Sequence, residues 1–238
     1  MNRSSLRKTH RWLGLIAAIQ LLIWTASGLF FSIVPIDDVR GSHLLQPLPA
    51  LRLSHVRLIS PSKLTLRHRE LASLSIGNLQ LQQRLYTPIY LTKLNDDWLV
   101  YNAETAAKLA PLTETEARAI AANSTQLGIQ SATWVSAVEP GSEYRDGELP
   151  AWRIALQGAD EANLWIGANS GKVSALRTNT WRLYDLLWSL HIMDYVDRDN
   201  FNSWLLRAFA LLGVITIASG LLLFFISGKP KGAGAPVK

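Results

Sequence analysis

Two long apolar stretches, one near each end of the chain, constrain this sequence more than any other feature. Residues 12–34 read WLGLIAAIQLLIWTASGLFFSIV and carry no formal charge. At about 1.5 Å per residue, that stretch crosses the roughly 30 Å hydrocarbon core of a bilayer. The second stretch runs from Trp204 to about Ile226. Its only charge is Arg207, one turn from the start, where the side chain can snorkel to the headgroups. A freely soluble enzyme is not expected from such a chain.

Charge location sets an expected topology. Arg3, Arg7, Lys8 and Arg11 precede the first stretch with no acid among them, and Lys229, Lys231 and Lys238 follow the second. All 18 acidic residues lie between Asp37 and Asp199. Basic flanks stay in the cytoplasm, so both termini are expected inside an inner membrane and residues 35–203 in the periplasm. The net charge of +6 belongs to the tails; it points to the membrane as partner and not to nucleic acid. The first stretch is too long for the apolar region of a cleaved signal peptide and lacks a small-residue cleavage site after it, so it reads as a signal anchor. The absence of cysteine excludes disulfides, thiolate zinc sites, iron–sulfur clusters and C-x-x-C-H haem attachment.

The middle reads as an α+β domain. Leu85–Lys93 and Trp98–Asn102 are expected strands around the turn Asn95–Asp97. Thr113 and Glu116 form a capping box that opens a helix with Ala117, Ile120 and Ala121 on its apolar face. Ala132–Val138, Ala151–Leu156, Ala162–Gly167 and Lys172–Leu176 are expected strands. The run Leu99–Thr105 followed by Lys108-Leu109 parallels Leu164–Ser170 followed by Lys172-Val173, which a duplicated unit would explain. The layout is then a cytoplasmic N-terminus (1–11), a first span (12–34), a first half-domain (35–112), a second (113–178), an interfacial amphipathic helix and break (179–203), a second span (204–227) and a cytoplasmic tail (228–238). His10, Gly14, Ala17, Leu21, Trp24 and Gly28 fall on one face of the first span, and Ala210, Gly213, Ile217 and Gly220 on one face of the second. Small residues so placed let membrane helices approach closely.

Arg7-Lys8-Thr9-His10-Arg11-Trp12-Leu13-Gly14 resembles the opening of PepSY-associated transmembrane proteins, and Leu164–Leu176 resembles the end of a PepSY repeat. The run Trp181–Tyr195 followed by Arg198–Asn202 is similar to the short, two-span branch of that family. The resemblance implies a helical hairpin carrying a periplasmic α+β domain with PepSY-like repeats. Four-span relatives resemble inner-membrane haem proteins that pass electrons outward, ferric-siderophore reductases included. Soluble PepSY modules are associated with propeptides that inhibit or chaperone peptidases. A membrane reductase component using haem b, with ferric iron as one acceptor, and a cofactor-free periplasmic binding or regulatory module are the two functions the family suggests.

With no cysteine, a b-type haem would need histidine. His43, His55 and His68 lie in a polar, Arg-rich stretch and read as solvated surface. His10 sits at the end of the first span, one turn before Gly14, where a flat macrocycle could approach the backbone; it reads equally as an interfacial residue touching phosphates. Trp181, Tyr184, Trp188, His191 and Tyr195 fall at steps of 3, 4, 3 and 4, one face of an amphipathic helix. There His191 is either a ligand, with Asp194 holding its tautomer, or a hydrogen-bonded anchor. His10 and His191 lie at opposite leaflets, so one chain cannot offer both to one iron. A homodimer, or a partner membrane protein, would complete a four-helix cradle. G-x-S-x-G, H-E-x-x-H, the phosphate loop and G-x-G-x-x-G are all absent. Both spans also contain Ala-Ser-Gly-Leu, at 26–29 and 218–221, at opposite depths of an antiparallel pair.

Overall fold

A computed structural model describes residues 3–145, 147–158 and 160–227. Along the chain it runs α1 (Arg3–Ile33), α2 (Ile36–Val39), α3 (Pro61–Arg67), β1 (Gln80–Arg84), β2 (Thr87–Leu94), β3 (Asp97–Asn102), β4 (Lys108–Leu109), α4 (Glu114–Ser124), β5 (Ile129–Val135), β6 (Ala151–Leu156), β7 (Asn163–Gly167), β8 (Val173–Arg177), α5 (Asn179–Ile192) and α6 (Trp204–Ser227). Two compact units result. One holds the chain up to Val34 and from Asp185 onward; the other is Pro35–Tyr184.

In the helical unit, α1 and α6 are each long and apolar enough to cross a membrane, over His10–Ile33 and Trp204–Leu222. They pack together as an antiparallel pair, with His10 of α1 bonded to Ser219 of α6. The buried side of α1 passes through Ala17, Gln20 and Ser27. This rotates the expected small-residue face: Leu21 is 38% exposed, and a methyl group added at Gly14 or Gly28 would meet nothing within 4 Å. On α6, Gly213 is buried while Ile217 is 56% exposed. Among the described residues, Gln20 and Ser27, together with Ala17 and Gly213, are therefore the buried residues of the two helices.

The helix before the second span ends sooner than its aromatic periodicity predicts. α5 stops at Ile192 because Met193 turns left-handed (φ 54°) and the Asp194 amide bonds back to the Ser189 carbonyl, a Schellman-type stop. Tyr195 consequently leaves the stripe and is 53% exposed. The break between α5 and α6 is organised by Asp194. Its carboxylate accepts the amides of Val196, Asp197, Asp199 and Asn200 at 2.9–3.4 Å. Burial works to raise this carboxyl, but the four amides outweigh it and hold it below its ordinary value. Arg198 pairs with the buried Asp185 of α5. Ser203 then accepts the Leu206 amide at 3.2 Å and starts α6.

The domain unit contains two four-stranded antiparallel meanders, β1-β2-β3-β4 and β5-β6-β7-β8. In the second sheet, Trp152, Ile154 and Leu156 of β6 alternate onto one face with Leu164 and Ile166 of β7. Ala117, Ile120 and Ala121 of α4 cover them. The α4 capping box is formed: Glu116 and Thr113 exchange bonds at 2.8–3.3 Å. In the first sheet, Tyr90 and Tyr101 pack under Leu64 of α3 and Leu71, while Ile89, Leu91 and Val100 fill the other face. The strand Gln80–Arg84 lies outside the sequence expectation. Its residues QLQQR show no apolar alternation, yet it pairs with β2 along its whole length. Strand β5 also sits three residues before its expected span and β8 one residue after.

Candidate functional site

Two histidines of the helical unit are held by the same kind of contact at opposite ends of the helix pair. His191, in the last turn of α5, has Nδ1 2.7 Å from Ser27 Oγ of α1. His10, where the apolar part of α1 begins, has Nδ1 3.0 Å from Ser219 Oγ of α6. Ser27 lies seventeen residues along α1 from His10, about 25 Å at the helical rise. Among the described residues neither Nε2 has a hydrogen-bond partner. Gln20 lies between the two ends, nine-tenths buried, with its Nε2 unpartnered among the described residues.

The serines explain why these rings are placed as they are. Each is the serine of an Ala-Ser-Gly-Leu segment, and each segment follows a Trp-Leu pair by the same twelve residues: Trp12-Leu13 before 26–29, Trp204-Leu205 before 218–221. In an antiparallel pair, equal spacing sends the two serines to opposite ends. They do not meet each other, and each meets a histidine instead.

The surroundings of the two rings differ. Around His191, Trp188 stacks one turn back (6.4 Å between centroids, 7° between planes), Phe31 stands edge-on at 5.6 Å and Trp24 is tilted at 6.3 Å. Trp24 Nε1 also donates to the His191 carbonyl at 2.7 Å. Trp188 in turn meets Phe31 and Phe201 edge-on, at 5.9 and 5.4 Å. Burial in this shell pushes the His191 imidazole below its ordinary value. His10 is half-buried, with open space beside Gly14 one turn on. The same open space lies beside Gly28, Gly213 and Gly220.

Asp194 does not hold the His191 ring, contrary to the sequence expectation. Its oxygens face forward to the loop amides, and the residue on Nδ1 is Ser27, 164 positions away. Sequence reasoning missed both serines. The repeated segment was the available signal, but only a helix pair carrying α5 shows what each serine faces.

The remaining histidines lie elsewhere. His43 is exposed, 3.8 Å from Asp38, and His55 is exposed. His68 is not the solvated residue expected. Its Nε2 donates to the Ala106 carbonyl at 2.7 Å, its ring packs 4.4 Å from Tyr101, and Nδ1 lies 3.6 Å from Glu70. It is a structural group of the first sheet. Among the described residues no cluster of three or more His, Asp or Glu side chains could hold a metal ion.

The domain unit has a cavity of about 460 Å³ lined by Arg84, Tyr86, Asn102, Thr113 and Glu116 together with apolar groups. Arg84, 7% exposed, donates to the Ala110 carbonyl at 2.8 Å and lies 3.6 Å from Glu116. Burial lowers the affinity of its guanidinium for the proton, and Glu116 and Glu148 oppose that. Arg84 therefore ties β1 to the start of α4 and is not an unpaired charge awaiting a ligand.

No curated protein and no solved structure matches the chain significantly. The model of the PepSY-associated TM region does match, over residues 1–226. That match covers both apolar helices, the two sheets between them and both serine–histidine contacts, so the chain belongs to the PepSY-associated TM family.

Proposed function

We propose that this protein passes electrons across the bacterial inner membrane to a periplasmic acceptor such as ferric iron, using b-type haem held by His10 at one end of the helix pair and His191 at the other. Under this reading both termini are cytoplasmic and residues 35–203 periplasmic, as the basic flanks favour. The observation that carries it is the pair of histidines at opposite ends, each tethered through Nδ1 with Nε2 unengaged. A ligating histidine commonly has its second ring nitrogen fixed by a neighbouring group, so the donor set fits haem iron. Bound there, the haem would supply a one-electron ferric/ferrous couple. His10 and His191 would hold the haem, Gly14 leaves the face beside His10 open, and Trp24, Phe31 and Trp188 pack around the His191 ring. Since the two rings are about 25 Å apart along α1, one chain would not offer both to one iron, and a second donor for either would come from another chain. A homodimer is the simplest source, a partner membrane protein the other.

The second reading is a cofactor-free periplasmic binding or regulatory module of the kind that inhibits or chaperones peptidases. It is favoured by the closeness of the aromatic packing around His191, which also serves to anchor α5. The absorption spectrum of the detergent-purified protein separates the two. A Soret band that shifts on dithionite is expected; a colourless protein that also fails to bind added haemin overturns the electron-transfer reading and leaves the module.

A further inference from the structure

Several polar contacts converge on each of the two serine hydroxyls. Ser27 Oγ lies 2.8 Å from the Ile23 carbonyl, 3.2 Å from the Trp24 carbonyl and 2.7 Å from His191 Nδ1. Ser219 Oγ lies 2.9 Å from the Thr216 carbonyl and 3.0 Å from His10 Nδ1. A hydroxyl has one hydrogen and two lone pairs, and a carbonyl oxygen can only accept. A serine within an apolar helix usually gives that hydrogen to a carbonyl of the preceding turn, as a back-bond. The contact to the imidazole is then satisfied only if Nδ1 carries a proton and donates it to the serine oxygen.

We propose that Ser27 and Ser219 are positioning residues that lock His191 and His10 in the Nδ1–H tautomer, so that each Nε2 presents its lone pair to a ligand. The inference rests on the haem reading for the identity of that ligand, and on the serine back-bonds for the tautomer. A neutral imidazole places its proton on either nitrogen, and the partner of one decides the state of the other. His68 shows the opposite setting in the same chain. The Ala106 carbonyl at its Nε2 requires the proton there, which closes that nitrogen to any metal. The two histidines of the helix pair are set one way and the histidine of the sheet domain the other. The lock is also built twice, by serines at the same distance from the Trp-Leu pair of each span.

The test uses the full-length, haem-free protein in detergent with ¹⁵N-labelled histidine. His43, His55 and His68 are replaced by Gln to leave two rings, assigned by replacing each in turn. Two-bond ¹H–¹⁵N correlations report which nitrogen is protonated. Both rings are expected as Nδ1–H. Ser27→Ala should release only His191 to a tautomer mixture and Ser219→Ala only His10. Ser27→Thr and Ser219→Thr, which keep the hydroxyl, should restore the lock. In haemin titration each Ala variant should weaken its own site about 10- to 100-fold, the usual effect of removing a ligand's outer partner. Wild-type rings found as Nε2–H, Ala variants with unchanged tautomers, or a disturbance at both rings that Thr does not repair would each overturn the proposal. A locked pair in a protein that binds no haemin overturns the haem reading and leaves the lock standing. Haemin binding with tautomers indifferent to the serines does the reverse.

Discussion

His10 and His191 share a contact and differ in almost everything around it. Each Nδ1 meets a serine of an apolar helix other than its own. His191 is additionally enclosed by Trp24, Phe31 and Trp188 and reached through a short helix whose end is tied by Asp194. His10 sits on the long helix itself, beside the open face at Gly14. Under the proposed reading the serine contact would set the tautomer of the ring, whereas the aromatic shell would hold the ring in place. Perturbations of one should leave the other in place.

The largest expected effect is loss of the rings themselves. If haem is held as proposed, His10→Ala and His191→Ala should each remove a separate component of its spectrum, and the losses should add, since sites about 25 Å apart do not share partners. A single component lost identically in both variants would merge the two sites into one and end the comparison. Trp188→Ala should follow. It removes the stacked ring and two edge contacts, each worth about 0.5–1.5 kcal/mol, and should loosen α5 by about 2 kcal/mol while sparing His10. Hydrogen exchange of the α5 amides, read beside the His10 spectral component, checks both halves of that statement.

Asp194→Ala should act more weakly, by about 1 kcal/mol, the usual cost of losing a capping side chain. Increased exchange at Val196–Asn200 with α1 unaffected is the expected signature. The same carboxylate gives a pH prediction. Its value is lowered in the folded chain, so its contribution is complete above the ordinary value of 3.8 and disappears as pH falls through the lowered folded value. The 196–200 amides should therefore keep their protection at pH 5 and lose it only in strong acid. Protection that faded near pH 6 would assign the loop to another group. The smallest effect belongs to His43→Ala and His55→Ala, exposed positions whose loss should leave spectrum and stability unchanged. His68→Ala should also spare the spectrum, but it should cost the domain about 1–3 kcal/mol through the Ala106 carbonyl left without its donor.

Much of the frame was legible because it rests on local patterns. The uncharged stretch 12–34, the capping box at Thr113 and Glu116 and the apolar stretch from Trp204 all depend on neighbours a few residues away. Strand β1 was not legible because QLQQR is an edge strand whose pairing comes entirely from β2. The site was half legible. Histidine beside glycine, and histidine on an aromatic face, mark His10 and His191 from spacing alone. Their partners lie 209 and 164 positions away and emerge only when the helices are paired. Asp194 misled for a related reason: closeness in sequence to His191 says nothing about which way a carboxylate turns after a left-handed stop at Met193.

The repeated Trp-Leu and Ala-Ser-Gly-Leu spacing has one more consequence. Two strands of a rope laid head to tail look the same from either end, and so, to a first approximation, does this helix pair: rotate it half a turn and each serine falls where the other was. A structure with that property has no arrow of its own. Whatever vectorial behaviour the protein has must come from the parts that break the likeness, namely the aromatic collar around one ring and the two-sheet domain that separates the helices in sequence. Grafting the collar from one end to the other is thus the manipulation that would turn such a device around.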